Sequence, residues 1–372
     1  MSKKIALVLS GGGGRGAAHL GIIKSLFKQG LEPDIYIGSS VGAIIAALMA
    51  VYDDIDQVIE LYLRFVKKHN WIDLFDPPIF PEKRIHSFGG LIDGERVISV
   101  IAEETGLAGI KLSQTKKPLY ITATDLNSGG EIVFGFPQPP KARPILRSSK
   151  SVGGNRYQPL FYPKDILITK ALRAGIGLPV LFKPYPMNMG KSKMALLDGG
   201  IRDNCPFTLA ACLPDVNHIL ASVLSYAGQQ NIDYYRKDIV SVFLDFLEIS
   251  TAFTQLGKAC QDNIFVEKGG ASLRIINPGL FSINPLDLKR SQLMILSAYN
   301  SMESILNKFD GLDEFWKRWN KYQMDSFPSS RWKIEKLGHS RSNIVSVTDL
   351  RSPLEGELKR KSFKYQLKKY FS

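Results

Sequence analysis

The 372-residue sequence contains few of the residues that build metal and redox sites. Its three cysteines, Cys205, Cys212 and Cys260, lie far apart without a C-x-x-C pair, and its five histidines are scattered. Zinc sites and redox motifs need closely spaced ligands, so the pattern favours neither. We therefore expect no metal and no cofactor, with free thiols in a reducing compartment.

Long apolar segments are also lacking. The N-terminus carries Lys3 and Lys4 but no long apolar stretch with a small-residue cleavage site, which argues against a secretory signal. The longest apolar run, residues 41–51, is shorter than the roughly 20 residues that a membrane-spanning helix needs. We expect a cytoplasmic protein without a transmembrane helix. Peripheral membrane contact and export by a signal-less route remain open.

Acidic residues are outnumbered, with 35 Asp and Glu against 48 Lys and Arg, a net charge of +13. This excess favours an anionic partner but does not choose among a phospholipid surface, a nucleic acid and an acidic protein.

Residues 137–163 are rich in Pro, Gly and Ser and lack acids, so we predict a basic lid or binding loop. The basic and aromatic residues of 351–372 indicate either a membrane-associating segment or a solvated tail. The basic residues of the predicted loop are Lys141, Arg143, Arg147, Lys150 and Arg156.

Strand and helix patterns alternate along the first part of the chain. An apolar run at 4–10 precedes a glycine loop, a helical segment at 17–29, a short apolar run at 34–38 and an apolar helix at 41–49. This order predicts an α/β fold, a three-layer α/β/α sandwich with a mainly parallel central sheet. Further helices are predicted at 56–68, 96–105 and 166–174, and further strands at 118–124, 131–136, 193–197 and 218–224.

The chain becomes more charged and more helical after about residue 230. We therefore divide it into a main domain at 1–228, a helical extension at 229–306 that packs on the core, and a basic C-terminal region at 307–372.

The glycine-rich loop SGGGGRG, residues 10–16, fits two chemistries. A G-x-G-x-x-G loop between a strand and a helix is typical of dinucleotide binding, which also needs an acid at the end of the second strand. Here the only nearby acids, Glu32 and Asp34, precede that strand. The sequence therefore favours the second use, in which bare backbone amides bind an oxyanion. The candidate donors are the amides of Gly11, Gly12, Gly13, Gly14 and Arg15.

A G-x-S-x-G sequence, Gly38-Ser39-Ser40-Val41-Gly42, lies between the second strand and the following helix. A sharp turn in this context presents the serine hydroxyl at the carboxyl end of the sheet, near the positive end of the helix dipole. Ser40 is thus the candidate nucleophile, and we expect Ser39 to face away.

A serine nucleophile needs a base, and none of the five histidines lies in a motif that marks one. His19 is the nearest in sequence to the glycine loop, but we expect a structural hydrogen-bonding role for it. Asp198 ends the apolar strand KMALL and is followed by Gly199 and Gly200. We expect its carboxylate to emerge at the same carboxyl edge as Ser40, which makes it the better candidate.

Taken together, these pieces resemble the patatin-like phospholipases, which are Ser-Asp dyad acyl hydrolases. The family's oxyanion loop corresponds to residues 11–16, its nucleophile motif to GSSVG and its D-G-G motif to 198–200. The resemblance covers about residues 3–225, and 280–306 more faintly, and it departs from the family at Gly175, where related proteins often have serine.

The resemblance implies a catalytic domain at 1–228 in which Asp198 takes the Ser40 proton without a histidine. It implies an acyl-enzyme, ester substrates among phospholipids, lysophospholipids or neutral acyl lipids, and no metal. The expected partner is then an acyl lipid at an anionic membrane surface rather than a nucleic acid, with the oligomeric state left open.

Two other functions remain open. An acyltransferase would pass the Ser40 acyl group to an alcohol or thiol, but transferases of the related fold typically have His directly before the serine, and Ser39 stands there. A non-catalytic membrane-binding module would need none of the three intact motifs. Labelling by a fluorophosphonate separates an enzyme from such a module.

Overall fold

The computed structural model describes residues 4–69, 90–92, 94–139, 145–146, 156–157, 160–224, 271–278, 287–309, 314–315 and 344–346. Most of the predicted basic loop, including Arg143, Arg147 and Lys150, lies outside these residues, as does the basic segment 351–372. The division of the chain at 228 and 306 stays a prediction.

The described helices and strands follow the predicted order, and the predicted elements are confirmed with ends that shift by a few residues. The helices are α1 (Ala17–Lys28), α2 (Val41–Tyr52), α3 (Ile55–Lys68), α4 (Glu95–Thr105), α5 (Ile168–Gly175), α6 (Gly200–Asp203), α7 (Phe207–Cys212) and α8 (Ser291–Leu306). The strands are β1 (Lys4–Leu9), β2 (Ile35–Gly38), β3 (Gly90–Ile92), β4 (Leu119–Asp125), β5 (Glu131–Phe136), β6 (Ile145–Leu146), β7 (Arg156–Tyr157), β8 (Leu160–Phe161), β9 (Val180–Phe182), β10 (Tyr185–Met189), β11 (Ser192–Asp198), β12 (Val216–Ser222), β13 (Ser272–Asn277) and β14 (Ile344–Ser346).

The central sheet has the strand order β10-β11-β4-β2-β1-β12-β13-β14, with β5 beside β4 and β8 beside β5. From β4 to β14 along this order, neighbouring strands are parallel, and so are β5 and β8. The antiparallel pairs are β10 with β11, β11 with β4, and β5 with β4. The predicted mainly parallel sheet is therefore confirmed. Four strands of this sheet, β8, β10, β13 and β14, were not predicted. Of these, β13 lies in the segment 229–306 that was expected to be helical.

Alternating residues of β1 separate the two sides of the core. Leu7 and Leu9 pack in one apolar cluster with residues of α1, α2 and α8. Ala6 and Val8 pack in a second cluster with residues of α7 such as Leu209. Since successive side chains of a strand point to opposite faces, the two clusters lie on the two faces of the sheet. This arrangement is the predicted three-layer sandwich.

Helix α8 packs closely on α1, although the two are more than 250 residues apart in sequence. Gly21 makes the approach possible because a Cβ there would collide with the carbonyl oxygen of Ile295. Glu303 of α8 accepts hydrogen bonds from Ser25 and Lys28 of α1. The segment 291–306 is thus attached to the sheet through α1. In the part of the chain that the structure describes, no helix is long and apolar enough to cross a membrane.

Candidate active site

Ser40 stands in a strained turn between β2 and α2. Its backbone angles are φ 51 and ψ −130, a conformation that non-glycine residues rarely adopt. Close packing holds the turn in place, because a Cβ on Gly42 would collide with the carbonyl oxygen of Leu9 and one on Gly38 with that of Gly42. The Ser39 amide donates to the Leu9 carbonyl at 3.1 Å. The turn therefore presents the Ser40 side chain at the carboxyl end of β1 and β2.

Asp198 reaches Ser40 by a route that differs from the predicted one. The prediction placed the ends of both strands at one carboxyl edge, but β11 runs antiparallel to β4 while β2 runs parallel to it. Along β4, Gly38 lies opposite Ile121 and Asp198 lies opposite Ala123, while β5 pairs with β4 over residues 119–124. A strand has only two edges, and β5 occupies one edge of β4. The strands β2 and β11 therefore share the other edge, and their carboxyl ends face each other. Two strand residues, about 7 Å, separate their ends.

This meeting of two strand ends produces a direct serine–carboxylate contact. The Ser40 Oγ donates to Asp198 Oδ2 at 2.7 Å, and the Gly200 amide donates to Asp198 Oδ1 at 2.8 Å. The Asp198 side chain is buried, with 2% exposure. Burial raises the pKa of Asp198 from 3.8 to about 6, although the hydrogen bonds from Ser40 and Gly200 partly oppose the rise. The carboxylate is thus a stronger base than an exposed aspartate.

The backbone of Asp198 and Gly199 is held by the last residue of α5 and by the segment that follows it. Its amide donates to the Gly177 carbonyl at 2.8 Å, and the Gly199 amide donates to the Gly175 carbonyl at 3.1 Å. A Cβ on Gly175 would lie 2.5 Å from the Thr122 carbonyl oxygen. Glycine at 175, the departure noted in the sequence, therefore permits the close approach of α5 to β4 beneath the aspartate.

The glycine loop contacts the same centre. A Cβ on Gly11 would lie 2.9 Å from the Cβ of Ser40. The Gly11 amide donates to the Asn204 carbonyl at 3.1 Å, and the Arg15 amide donates to the Gly12 carbonyl at 3.3 Å. Two of the five predicted oxyanion donors are therefore already engaged. Within the described residues, the amides of Gly12, Gly13 and Gly14 have no hydrogen-bond partner, so the candidate donors narrow to these three.

Ser10 fixes how this loop begins. Its Oγ donates to the Gly11 carbonyl at 2.9 Å and accepts from the Leu224 amide at 2.8 Å. Because a trans peptide is planar, a fixed Gly11 carbonyl also fixes the direction of the Gly12 N–H. Ser10 and Asn204 were missed by the sequence analysis, since no motif marks a residue that acts through a backbone contact.

His19 is buried behind the loop and bonds to neighbouring strands. Its Nδ1 lies 2.7 Å from the Ser222 Oγ, and its Nε2 lies 2.9 Å from the Ser10 carbonyl oxygen. A carbonyl only accepts, so Nε2 carries the proton and Nδ1 accepts from Ser222. Burial lowers the pKa of His19 to about 4, which keeps the ring neutral. Both ring nitrogens are occupied, as expected of a structural hydrogen-bonding residue.

The sequence of this chain is similar to those of several known proteins. The family model described as patatin-like phospholipase matches residues 7–211. An uncharacterized NTE family protein of Mycobacterium tuberculosis is 28% identical over 229 residues, which cover 62% of this chain and 51% of that protein. Triacylglycerol lipase ptl3 of Schizosaccharomyces pombe is 43% identical over 82 residues, covering 22% of this chain and 17% of the lipase.

Triacylglycerol lipase 4 of Saccharomyces cerevisiae is 24% identical over 238 residues, covering 59% of this chain and 24% of the lipase. Among solved structures, VipD from Legionella pneumophila aligns with a TM-score of 0.41 at 15% identity, covering 83% of this chain and 67% of VipD. The chain spans about half the length, or less, of the curated relatives it matches.

Proposed function

Because this chain belongs to the patatin-like phospholipase family, we propose that it is a lipid acyl hydrolase with Ser40 as nucleophile and Asp198 as general base. The proposed substrates are the carboxylic esters of phospholipids or lysophospholipids. The observation that carries the proposal is the 2.7 Å hydrogen bond from Ser40 Oγ to the buried Asp198 carboxylate. A nucleophile and a base in direct contact are what a serine esterase needs.

The first half of the proposed reaction forms an acyl-enzyme. Asp198 Oδ2 takes the Ser40 proton while Oγ attacks the ester carbonyl carbon, and the carbonyl oxygen becomes an oxyanion. The amides of Gly12, Gly13 and Gly14 donate to it, and each such donor contributes about 3 kcal/mol to the transition state. The intermediate then collapses, the C–O bond of the ester breaks, and protonated Asp198 returns the proton to the leaving alcohol.

The second half restores the enzyme with water. Asp198 accepts a proton from a water molecule that attacks the acyl carbonyl, and the same amides hold the second oxyanion. Collapse of this intermediate breaks the bond to Ser40 Oγ, which takes the proton back from Asp198. The products are a free fatty acid and the unmodified serine.

The pKa of about 6 suits Asp198 to this role, because general bases are most effective when their pKa lies near the working pH. Only the ionised carboxylate accepts the proton. Activity should therefore be full above about pH 7 and fall about tenfold per pH unit below about pH 6.

The net charge of +13 supports a further part of the proposal, peripheral contact with an anionic membrane. In this proposal the predicted basic loop contacts lipid phosphates near the site. Replacing Arg143, Arg147 and Lys150 by Ser should weaken binding to vesicles that contain phosphatidylglycerol and leave binding to neutral vesicles unchanged. Equal binding of the variant and the wild type to anionic vesicles contradicts this role.

The catalytic proposal is tested with a fluorophosphonate probe on the full chain. Wild type should be labelled, and Ser40→Ala should not. Ser39→Ala is the matched control, because Ser39 is buried and its hydroxyl has no hydrogen-bond partner among the described residues. Absence of labelling in the wild type would indicate a binding module instead.

Product analysis then separates hydrolysis from transfer. Wild-type protein that reacts with the probe is incubated with phospholipid or lysophospholipid. It should release free fatty acid that incorporates oxygen from water. Acyl groups found on an added alcohol or thiol in preference to water would support the transferase instead.

A further inference from the structure

Thr124 is a buried residue of β4 that reaches the turn after Asp198. Its exposed fraction is 4%, and it lies opposite Leu197 in the strand pairing. The Thr124 hydroxyl donates to the Asp198 carbonyl oxygen at 2.9 Å. The same hydroxyl oxygen accepts from the Arg202 amide at 3.2 Å. One hydroxyl therefore joins the end of β11 to the short helix α6.

These two bonds bracket the residue that contacts the carboxylate. Gly200 lies between Asp198 and Arg202, and its amide donates to Asp198 Oδ1 at 2.8 Å. The Arg202 amide is shared with the Gly199 carbonyl at 3.2 Å, so the helix alone fixes it only in part. The orientation of the Gly200 amide, and with it that of the carboxylate, depends on a turn that Thr124 holds at both ends.

The opposite side of the Asp198 backbone is held independently. The Asp198 amide donates to the Gly177 carbonyl at 2.8 Å. With the amide held by Gly177 and the carbonyl by Thr124, the main chain at Asp198 is fixed from two separate segments. The carboxyl group can then rotate only about its own side-chain torsions, and its two oxygens are occupied by Ser40 and Gly200.

We propose that Thr124 is a positioning residue for Asp198, whose hydroxyl orients the 198–202 turn so that Oδ1 receives the Gly200 amide and Oδ2 faces Ser40. The catalytic consequence rests on the function proposed above. The effect on the orientation and pKa of the Asp198 carboxyl group does not depend on that function, because both can be measured without turnover.

Kinetics of the full chain test the catalytic consequence. Thr124→Val keeps the shape of the side chain and removes both hydrogen bonds. We expect kcat to fall roughly tenfold to a hundredfold, because a misplaced base loses the near-attack geometry, while KM stays within about twofold. Thr124→Ser keeps the hydroxyl and should restore kcat.

Thr122→Val is the matched control on the same strand. Thr122 is also fully buried, but its hydroxyl has no hydrogen-bond partner in the part of the chain that the structure describes. The same substitution there should leave kcat near that of the wild type. An equal loss in Thr122→Val and Thr124→Val would show a general sensitivity of β4 to substitution and overturn the proposal.

The Asp198 pKa provides a readout that needs no turnover. Carboxyl ¹³C resonances of the aspartates are titrated by NMR, and Asp198→Asn identifies the Asp198 signal. The Gly200 hydrogen bond lowers the pKa of Asp198, so its loss in Thr124→Val should move that pKa upward. A residue that only stabilises the fold would leave this pKa unchanged. Thr124→Ala takes the place of Thr124→Val if the latter does not fold.

The outcomes separate this inference from the function it rests on. If the wild type neither reacts with fluorophosphonate nor releases fatty acid, the proposed hydrolase function is refuted. A rise in the Asp198 pKa in Thr124→Val would still support the positioning role in that case. An active wild type with an unchanged pKa and unchanged kcat in Thr124→Val refutes the positioning role alone.

Discussion

The Ser40 turn and the Asp198 turn meet at one contact but differ in what holds them. At Ser40 the backbone is strained, with φ 51. Close backbone packing at Gly38 and Gly42, where no side chain fits, maintains this conformation. At Asp198 the following backbone is relaxed, with Gly199 at φ −61 and ψ −28. Three hydrogen bonds position the aspartate instead: one that its amide donates to the Gly177 carbonyl, and two that it accepts from the Thr124 hydroxyl and the Gly200 amide.

The difference indicates how each half responds to change. Backbone strain of about 1–3 kcal/mol persists only while the surrounding packing excludes other conformations. The nucleophile therefore has one position as long as the protein is folded. The position of the aspartate depends on several separate hydrogen bonds, each of which contributes modestly to stability. Removing them one at a time should therefore change the position and the pKa of Asp198 by successive small amounts. Substitutions at Asp198 and beneath it test this contrast.

The largest expected effect follows from removing the base and leaving the strained turn intact. Asp198→Asn should lower kcat/KM about a thousandfold, because an amide cannot accept the Ser40 proton. The backbone at Ser40 should be unaffected, which far- and near-UV circular dichroism can check. A variant within about tenfold of wild-type activity would mean that another group is the base.

A second effect of the same substitution concerns stability. The pKa of Asp198 rises from 3.8 in the unfolded chain to about 6 in the folded protein, so ionisation opposes folding by about 3 kcal/mol. This destabilisation is absent below about pH 4 and complete above about pH 7. Asp198→Asn should therefore be more stable than the wild type at pH 8, by up to about 3 kcal/mol, and closer to it at pH 4. Denaturant unfolding at both values measures this.

Asp125→Asn is the control with the opposite sign. Burial alone would raise the pKa of Asp125, but hydrogen bonds from Ser128, Ala195 and Asn127 lower it overall. Its ionised form therefore stabilises the fold above its unfolded pKa, and this contribution is lost as the pH falls. Asp125→Asn should be less stable than the wild type at pH 8. Destabilisation of both variants at pH 8 would contradict the burial argument for Asp198.

The smallest expected effect compares two glycines beneath Asp198. A Cβ on Gly175 would lie 2.5 Å from the backbone oxygen of Thr122, whereas one on Gly177 would make ordinary contacts of 3.4 Å or more. Gly175→Ala should therefore lower the free energy of unfolding by about 2 kcal/mol and also reduce kcat. Gly177→Ala should leave the melting temperature close to that of the wild type. Equal melting temperatures for the two variants would argue against close packing of α5 on β4.

The sequence was informative where a local pattern has one physical solution. The glycine loop, the G-x-S-x-G turn and the apolar strand before Asp198 could each be located from nearby residues, as could the helices α1 and α2. The pairing direction of β11 could not, because an apolar strand looks the same whether it pairs parallel or antiparallel. The strand β13 was missed for a different reason, because its partners β12 and β14 are distant in sequence and no neighbouring segment marks it as a strand.

The sequence by itself determined which groups are present at the site: a serine on a sharp turn, glycines able to offer bare amides, and an aspartate flanked by glycines. Only the tertiary structure decided that β2 and β11 end face to face along β4, which of the glycine amides are unpaired in the described residues, and that burial raises the pKa of Asp198 to about 6. Residue identity is read locally along the chain. Strand pairing, hydrogen-bond occupancy and burial depend on segments that folding brings together from far apart.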